Sequence, residues 1–260
     1  MTEVITLREP PPEPKGDFCL TPTARDIHNL LRTCQGHGWL GVVIGEPGTG
    51  KTAAITDYAE RPDRGEVRLC RMTRAASRLQ PGLVRLATVM GGPASPNMAA
   101  SELQDTVLYR AMCMTNGLLI LDEAQHLEDD MLHAVRDLFD EADAGGATCG
   151  VVLVGNRDLM DRLSKTRFNQ FTGRLGAILD LKDLSAPTAD DIAALCAHHG
   201  VDGKRAVDLV KKAARLPGAL QKVRKLLGVA RELGDGAITL TALEGAARVV
   251  GLPNLKGGAA

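Results

Sequence analysis

The octet Gly45-Glu46-Pro47-Gly48-Thr49-Gly50-Lys51-Thr52 places glycines, one lysine and one hydroxyl between an apolar run at 40–44 and a helical pattern at 51–60. Glycines let backbone N–H groups wrap around a phosphate at the positive end of a following helix. In that spacing Lys51 would neutralise terminal phosphate charge and Thr52 would offer its hydroxyl to Mg²⁺, so the expected ligands are ATP and Mg²⁺. Further along, the apolar stretch 118–121 ends in Asp122 and Glu123. Successive side chains at a strand end diverge, so Asp122 is expected in the Mg²⁺ shell with Thr52, and Glu123 as the base that polarises an attacking water. The stretch 151–154 runs into Gly155 and Asn156. An amide at that strand end would orient the water near the terminal phosphate, although Gly-Asn is also good turn chemistry. Arg167 and Arg174 precede the next apolar run. Arg174 is the better placed to act on a neighbouring copy's nucleotide and Arg167 the second, a solvated surface arginine being the plain alternative.

Positioning such residues requires strands that end together. Short apolar runs at 40–44, 66–70, 118–121, 151–154 and 177–181 read as strands, and the intervening text at 51–60, 82–90, 99–114, 129–141 and 157–163 reads as helices. This alternation implies an α/β fold with a parallel sheet covered on both faces. A capped helix also opens at Thr21-Pro22-Thr23, ahead of the first strand. After residue 184 only helical patterns follow, at 189–198, 204–216, 219–233 and 240–250, punctuated by Gly200, Pro217-Gly218 and Gly234. The expected organisation is an arm over 1–20, rich in proline, an α/β unit over 21–184 and an all-helical unit over 185–260.

Composition narrows the class. The chain has 260 residues, 31 basic against 32 acidic side chains, 44% apolar residues and no apolar run of membrane-spanning length. A soluble cytoplasmic protein with no membrane partner is expected. The six cysteines lie far apart with no CxxC pair, so they read as reduced thiols rather than as a disulfide or zinc framework. Only 3% of the residues are aromatic, which argues against a base-stacking surface for single strands. His126, just beyond the two carboxylates, reads as a hydrogen-bonded structural histidine.

The order of these parts resembles that of the AAA+ ATPases. Within that superfamily, Thr21-Pro-Thr-Ala-Arg-Asp-Ile, Leu119-Ile-Leu-Asp-Glu-Ala-Gln-His-Leu127, and Val154-Gly-Asn156 followed by Leu159 are similar to the transposition ATPases of the Mu B, TniB and TnsC type. The resemblance implies a P-loop core with a five-stranded parallel sheet in the order 5-1-4-3-2 and a C-terminal helical lid. It also implies self-association into a ring or helical filament, with duplex DNA and a transposase as partners. Lids of this superfamily usually carry a sensor arginine in a Gly-x-x-Arg step. The matching text here is Gly218-Ala-Leu-Gln221, so Gln221 takes the expected place beside the phosphates, with Lys222 or Arg224 as substitutes.

DNA contacts must then come from the core and the lid. Arg64, Arg68, Arg71, Arg74 and Arg78 cluster around the second strand, with no acidic residue between Val67 and Pro81. In related ATPases this region lines a central channel, which makes Arg68, Arg71, Arg74 and Arg78 the expected DNA contacts; a solvated basic face is the alternative. From 185 onward eleven basic residues face seven acidic ones, a net of +4. The expected function is an ATP- and Mg²⁺-dependent, DNA-binding ATPase that assembles on duplex DNA and regulates or targets a transposase. The alternatives are an ATP switch acting on proteins in secretion or signalling, and a replication-type loader.

Overall fold

The computed structural model describes residues 18–181 and 187–252. Residues 1–17 of the expected arm and the expected boundary at 184/185 lie outside the described residues. The first unit runs α1 (Pro22–His37), β1 (Leu40–Ile44), α2 (Lys51–Glu60), β2 (Val67–Arg71), α3 (Leu79–Val89), α4 (Ala100–Cys113), β3 (Gly117–Asp122), α5 (Asp129–Ala144), β4 (Cys149–Gly155), α6 (Arg157–Leu163), α7 (Asn169–Thr172) and β5 (Leu175–Asp180). Four helices follow: α8 (Ala189–His198), α9 (Lys204–Ala214), α10 (Ala219–Leu233) and α11 (Leu240–Val249).

The five strands form one parallel sheet in the order β2-β3-β4-β1-β5, which is the expected order read from the other edge. Period-two alternation divides its side chains between two cores. Val42, Leu119, Leu121, Val151 and Leu153 face α3, α4 and α5. Val43, Leu118, Ile120, Val152 and Val154 face α1 and α2. Burial on both faces explains why β1, β3 and β4 read as unbroken apolar runs.

Local chemistry sets the helix ends. The Thr21 hydroxyl accepts the Ala24 N–H at 3.3 Å, Pro22 occupies the first turn, and Gly38 closes α1 in the left-handed region. Helix α3 starts at Leu79, three residues earlier than expected. Pro81 falls in its first turn, where a missing N–H costs nothing. Helices α8 to α11 bury their own apolar cluster, including Ile192, Leu209, Val223, Leu226 and Leu243.

The two units meet through a buried carboxylate. Asp191, in the first turn of α8, accepts the Thr23 N–H at 2.9 Å and the Thr23 hydroxyl at 2.6 Å, and also accepts the Thr188 N–H at 3.0 Å. Burial alone would raise its pKa, but these hydrogen bonds outweigh burial and hold the carboxyl below the usual aspartate value.

Candidate active site

In a parallel sheet every strand delivers its last residue to the same edge, and ligands bind there. The carboxyl edge here collects the 45–52 loop after β1, Arg71 as the last residue of β2, Asp122 as the last of β3 with Glu123 after it, and Asn156 after β4. The loop is anchored to the sheet, its Gly45 N–H donating to the Gly155 carbonyl at 3.1 Å. Gly48 and Gly50 have φ of +88° and +94°, a backbone that other residues adopt only under strain. Gly50 leads straight into α2, whose first-turn N–H groups have no partner inside the helix. The Lys51 Nζ reaches back over the loop to the carbonyls of Gly45 at 2.7 Å and Glu46 at 3.0 Å. Burial pushes its pKa below the ordinary lysine value, against the pull of Asp122, Glu123 and Glu46. The loop therefore presents a desolvated cation and a fan of N–H donors, an arrangement suited to a triphosphate.

The Thr52 hydroxyl donates to Asp122 Oδ2 at 3.1 Å. Asp122 is 2% exposed, and burial raises its pKa, with the Thr52 hydrogen bond and the Arg71 charge opposing the rise. A hydroxyl and a buried carboxylate converging in this way are the hard oxygen donors that Mg²⁺ takes, so these residues fit the metal. The next residue, Glu123, lies in the left-handed region (φ 59°, ψ 36°), and the chain folds back through a short turn at Ala124–His126. That fold brings the Gln125 amide against Glu123, its Nε2 donating to Oε2 of the carboxylate. Nothing in the residue types announces this contact, which depends on the backbone reversal at Glu123.

The remaining expected residues are dispersed. Asn156 sits at the carboxyl edge but is committed to capping α6: its Oδ1 accepts the Asp158 N–H at 3.1 Å and its Nδ2 donates to the Asp158 carboxylate at 3.0 Å. Arg174 precedes β5, at the opposite edge of the sheet from the loop. It is 58% exposed and pairs with Asp140 at 3.1 Å. Arg167 pairs with Asp129 at 2.7 Å. Gln221 is exposed in the first turn of α10, whose start abuts the loop: the Leu220 N–H donates to the Gly48 carbonyl at 3.2 Å.

Among the arginines, Arg68, Arg74 and Arg78 are exposed, and Arg78 pairs with Glu128 at 3.5 Å. Arg71 is exposed too but reaches Asp122, with Nε 3.4 Å from Oδ2. Arg64 does not join the cluster. Its guanidinium lies over the Tyr58 ring at 5.1 Å. His126 makes no side-chain hydrogen bond among the described residues, contrary to expectation, and lines an open cleft with Asp129 and Arg162. Cys34, Cys70 and Cys149 are buried, and burial pushes their thiols up to about 12, 11 and 11.

Together the sheet, the loop and the carboxylate pair define a P-loop nucleoside triphosphatase with a helical unit seated on its phosphate loop. The AAA domain family model matches residues 34–163, and the chain belongs to that family and is an ATPase. The model of the Mu B transposition protein's C-terminal domain matches residues 174–248. The ATP-dependent target DNA activator B of Escherichia phage Mu is 26% identical over 234 residues, covering 90% of this chain and 70% of that protein. The Mu-like prophage FluMu DNA transposition protein B of Haemophilus influenzae is 32% identical over 146 residues, 56% of this chain and 48% of that protein.

Among solved structures, Cdc6p from Pyrobaculum aerophilum superposes with a TM-score of 0.67 at 17% identity, covering 92% of this chain and 70% of its own. The Aeropyrum pernix ORC2 protein does so at 0.61 and 18%, covering 91% and 67%. These two share the fold. Among the described residues no helix is long and apolar enough to cross a membrane.

Proposed function

We propose that this ATPase binds duplex DNA, assembles on it as a ring or helical filament, and regulates or targets a DNA transposase. The observation that carries the reading is the order of matches within one chain: an AAA domain over 34–163, then a stretch like the Mu B C-terminal domain over 174–248. The name of the phage Mu relative, a target DNA activator dependent on ATP, supports the same reading. In it, residues 21–184 bind nucleotide, 185–260 form the lid and 1–20 are an arm.

The proposed division of labour follows the geometry. Gly45 to Thr52 hold the phosphates through backbone N–H groups, and Lys51 exchanges its two carbonyl partners for the terminal phosphate oxygens. Thr52 and Asp122 would hold Mg²⁺, which would neutralise phosphate charge. Glu123 accepts a proton from the attacking water, and Asn156 orients that water once it leaves Asp158. Gln221 reaches the phosphates from the lid. Arg174 acts on a neighbouring copy's nucleotide, a role supported by its place at the far edge of the sheet. The six residues of β5, at about 3.3 Å per residue, separate it from the carboxyl edge where its own loop lies. Arg68, Arg71, Arg74 and Arg78 contact DNA phosphates.

The test is binding of random-sequence duplex DNA across a salt series, with and without ATP, paired with electron microscopy of the ATP-bound sample. ATP-dependent binding that weakens with salt, with ordered assemblies on the duplex, is the expected result. No binding to duplex DNA in either nucleotide state would overturn the proposal and favour a switch acting on proteins.

A further inference from the structure

We infer that Gln125 is a positioning residue for hydrolysis, a clamp that fixes the Glu123 carboxylate at the carboxyl edge of the sheet. The inference rests on the reading of Glu123 as the base. Glu123 is half-buried at a chain reversal, where a glutamate side chain has several rotamers open to it. One amide limits that freedom: Gln125 Nε2 donates to Glu123 Oε2. The amide's orientation is fixed by its partner, because rotating it by half a turn would set oxygen against carboxylate oxygen.

Gln125 is itself held from two further sides. Its main-chain carbonyl accepts from Arg162 Nη1 at 3.1 Å, and Arg162 Nη2 is tied to Asp129 at 2.8 Å. Its Oε1 is packed at the end of β4, 2.9 Å from where a Cβ on Gly155 would stand. The same Cβ would stand 2.8 Å from Leu159 Cδ2, so the glycine next to Asn156 leaves room for Leu159 and for this amide together. That Oε1 is buried with no hydrogen-bond partner. Buried polar atoms are almost always paired, and the exceptions gather at functional sites. An amide that leaves its oxygen unpaired in order to hold a carboxylate with its nitrogen is arranged for the carboxylate rather than for packing.

The experiment uses the full chain with ATP and Mg²⁺ and compares Gln125→Met and Gln125→Glu, alone and combined with Glu123→Gln, in single-turnover hydrolysis. Both side chains match glutamine in length and lack its N–H donor. Each single variant is expected to lose about 10- to 100-fold in rate, the scale of a misplaced catalytic group, while ATP affinity and melting temperature stay at the parent values. In the Glu123→Gln background the same substitutions are expected to cause no further loss, since residues that act through one another are non-additive. A wild-type rate in both single variants would overturn the inference. So would an equal loss in the two backgrounds, or a loss matched by falls in ATP affinity and melting temperature. Glu123→Gln alone reads the base assignment separately: a wild-type rate there removes the base and the clamp together. A slow Glu123→Gln beside fully active Gln125 variants removes the clamp only.

Discussion

Arg71 and Asp122 occupy partner positions in adjacent parallel strands, and the arginine Nε lies 3.4 Å from Asp122 Oδ2, the oxygen that also accepts the Thr52 hydroxyl. A side chain expected on DNA thus carries its charge to the residues proposed to hold the metal. Under that proposal Arg71 and Mg²⁺ compete for one carboxylate. Arg71→Ala should therefore lower the Mg²⁺ concentration for half-maximal ATP hydrolysis several-fold. Arg68→Ala, Arg74→Ala and Arg78→Ala should leave it unchanged. A Mg²⁺ titration of the four variants decides the matter.

Arg68, Arg74 and Arg78, which do not reach Asp122, should report on DNA alone. For every DNA phosphate that a variant leaves without its cation, the logarithmic salt dependence of duplex binding flattens by about 0.9. Replacing Arg68, Arg74 and Arg78 together should flatten it by about 2 to 3, with ATP turnover in the absence of DNA unaffected. Filter binding at several salt concentrations measures the slope.

Lys51→Ala removes the cation that lies over the phosphate loop. ATP affinity should fall below detection by calorimetry while the melting temperature of the free protein holds, because Lys51 bonds only to carbonyls that water can serve instead. Glu123→Gln should separate binding from chemistry: ATP remains bound, and turnover drops by about 10² to 10⁴.

Arg174→Ala tests the shared site. An arginine acting in trans is worth about 10³ to 10⁵ in rate. The variant should bind ATP normally, turn over slowly at every protein concentration, and recover when mixed with Lys51→Ala, which supplies the arginine without binding nucleotide. Wild-type turnover per chain should rise with protein concentration. A concentration-independent rate, or a fully active Arg174→Ala, would rule the shared site out.

Asp191 gives the chain an acid-sensitive joint. Its carboxyl is held below the unfolded aspartate value of about 3.9, so its contribution is complete above that pH and is lost as pH falls through the lowered native value. Asp191→Asn should lose about 1 to 3 kcal/mol at pH 7, by leaving the buried Thr23 donors poorly matched. The variant's stability should also fall less steeply than the parent's below pH 4. Urea unfolding at pH 7 and at intervals below 4 measures both.

Much of this architecture was legible in residue order. The helix at 51–60 and the strand at 40–44 match their expected bounds, because glycines and the Lys-Thr pair punctuate an apolar run cleanly. Strand β4 extends two residues before and one beyond its expected span. Cys149 and Gly150 are buried on a central strand where neither residue type advertises one. The partners of long side chains were not legible. Arg71 and Arg64 sit in one basic stretch of sequence, yet one turns to Asp122 and the other over Tyr58. The Gln125 clamp was hidden for a different reason, since it exists only because Glu123 adopts a left-handed backbone.

The helical unit is fastened at two points of unequal strength. Asp191 ties α8 to α1 through two donors of Thr23 away from solvent, whereas a neutral N–H joins Leu220 at the start of α10 to Gly48. Because α8 to α11 share one buried core, the unit would yield as a whole, parting from the phosphate loop at α10 before it parts from α1. Mechanically, the helical unit is a lever pinned at Asp191 whose free end rests on the phosphate loop.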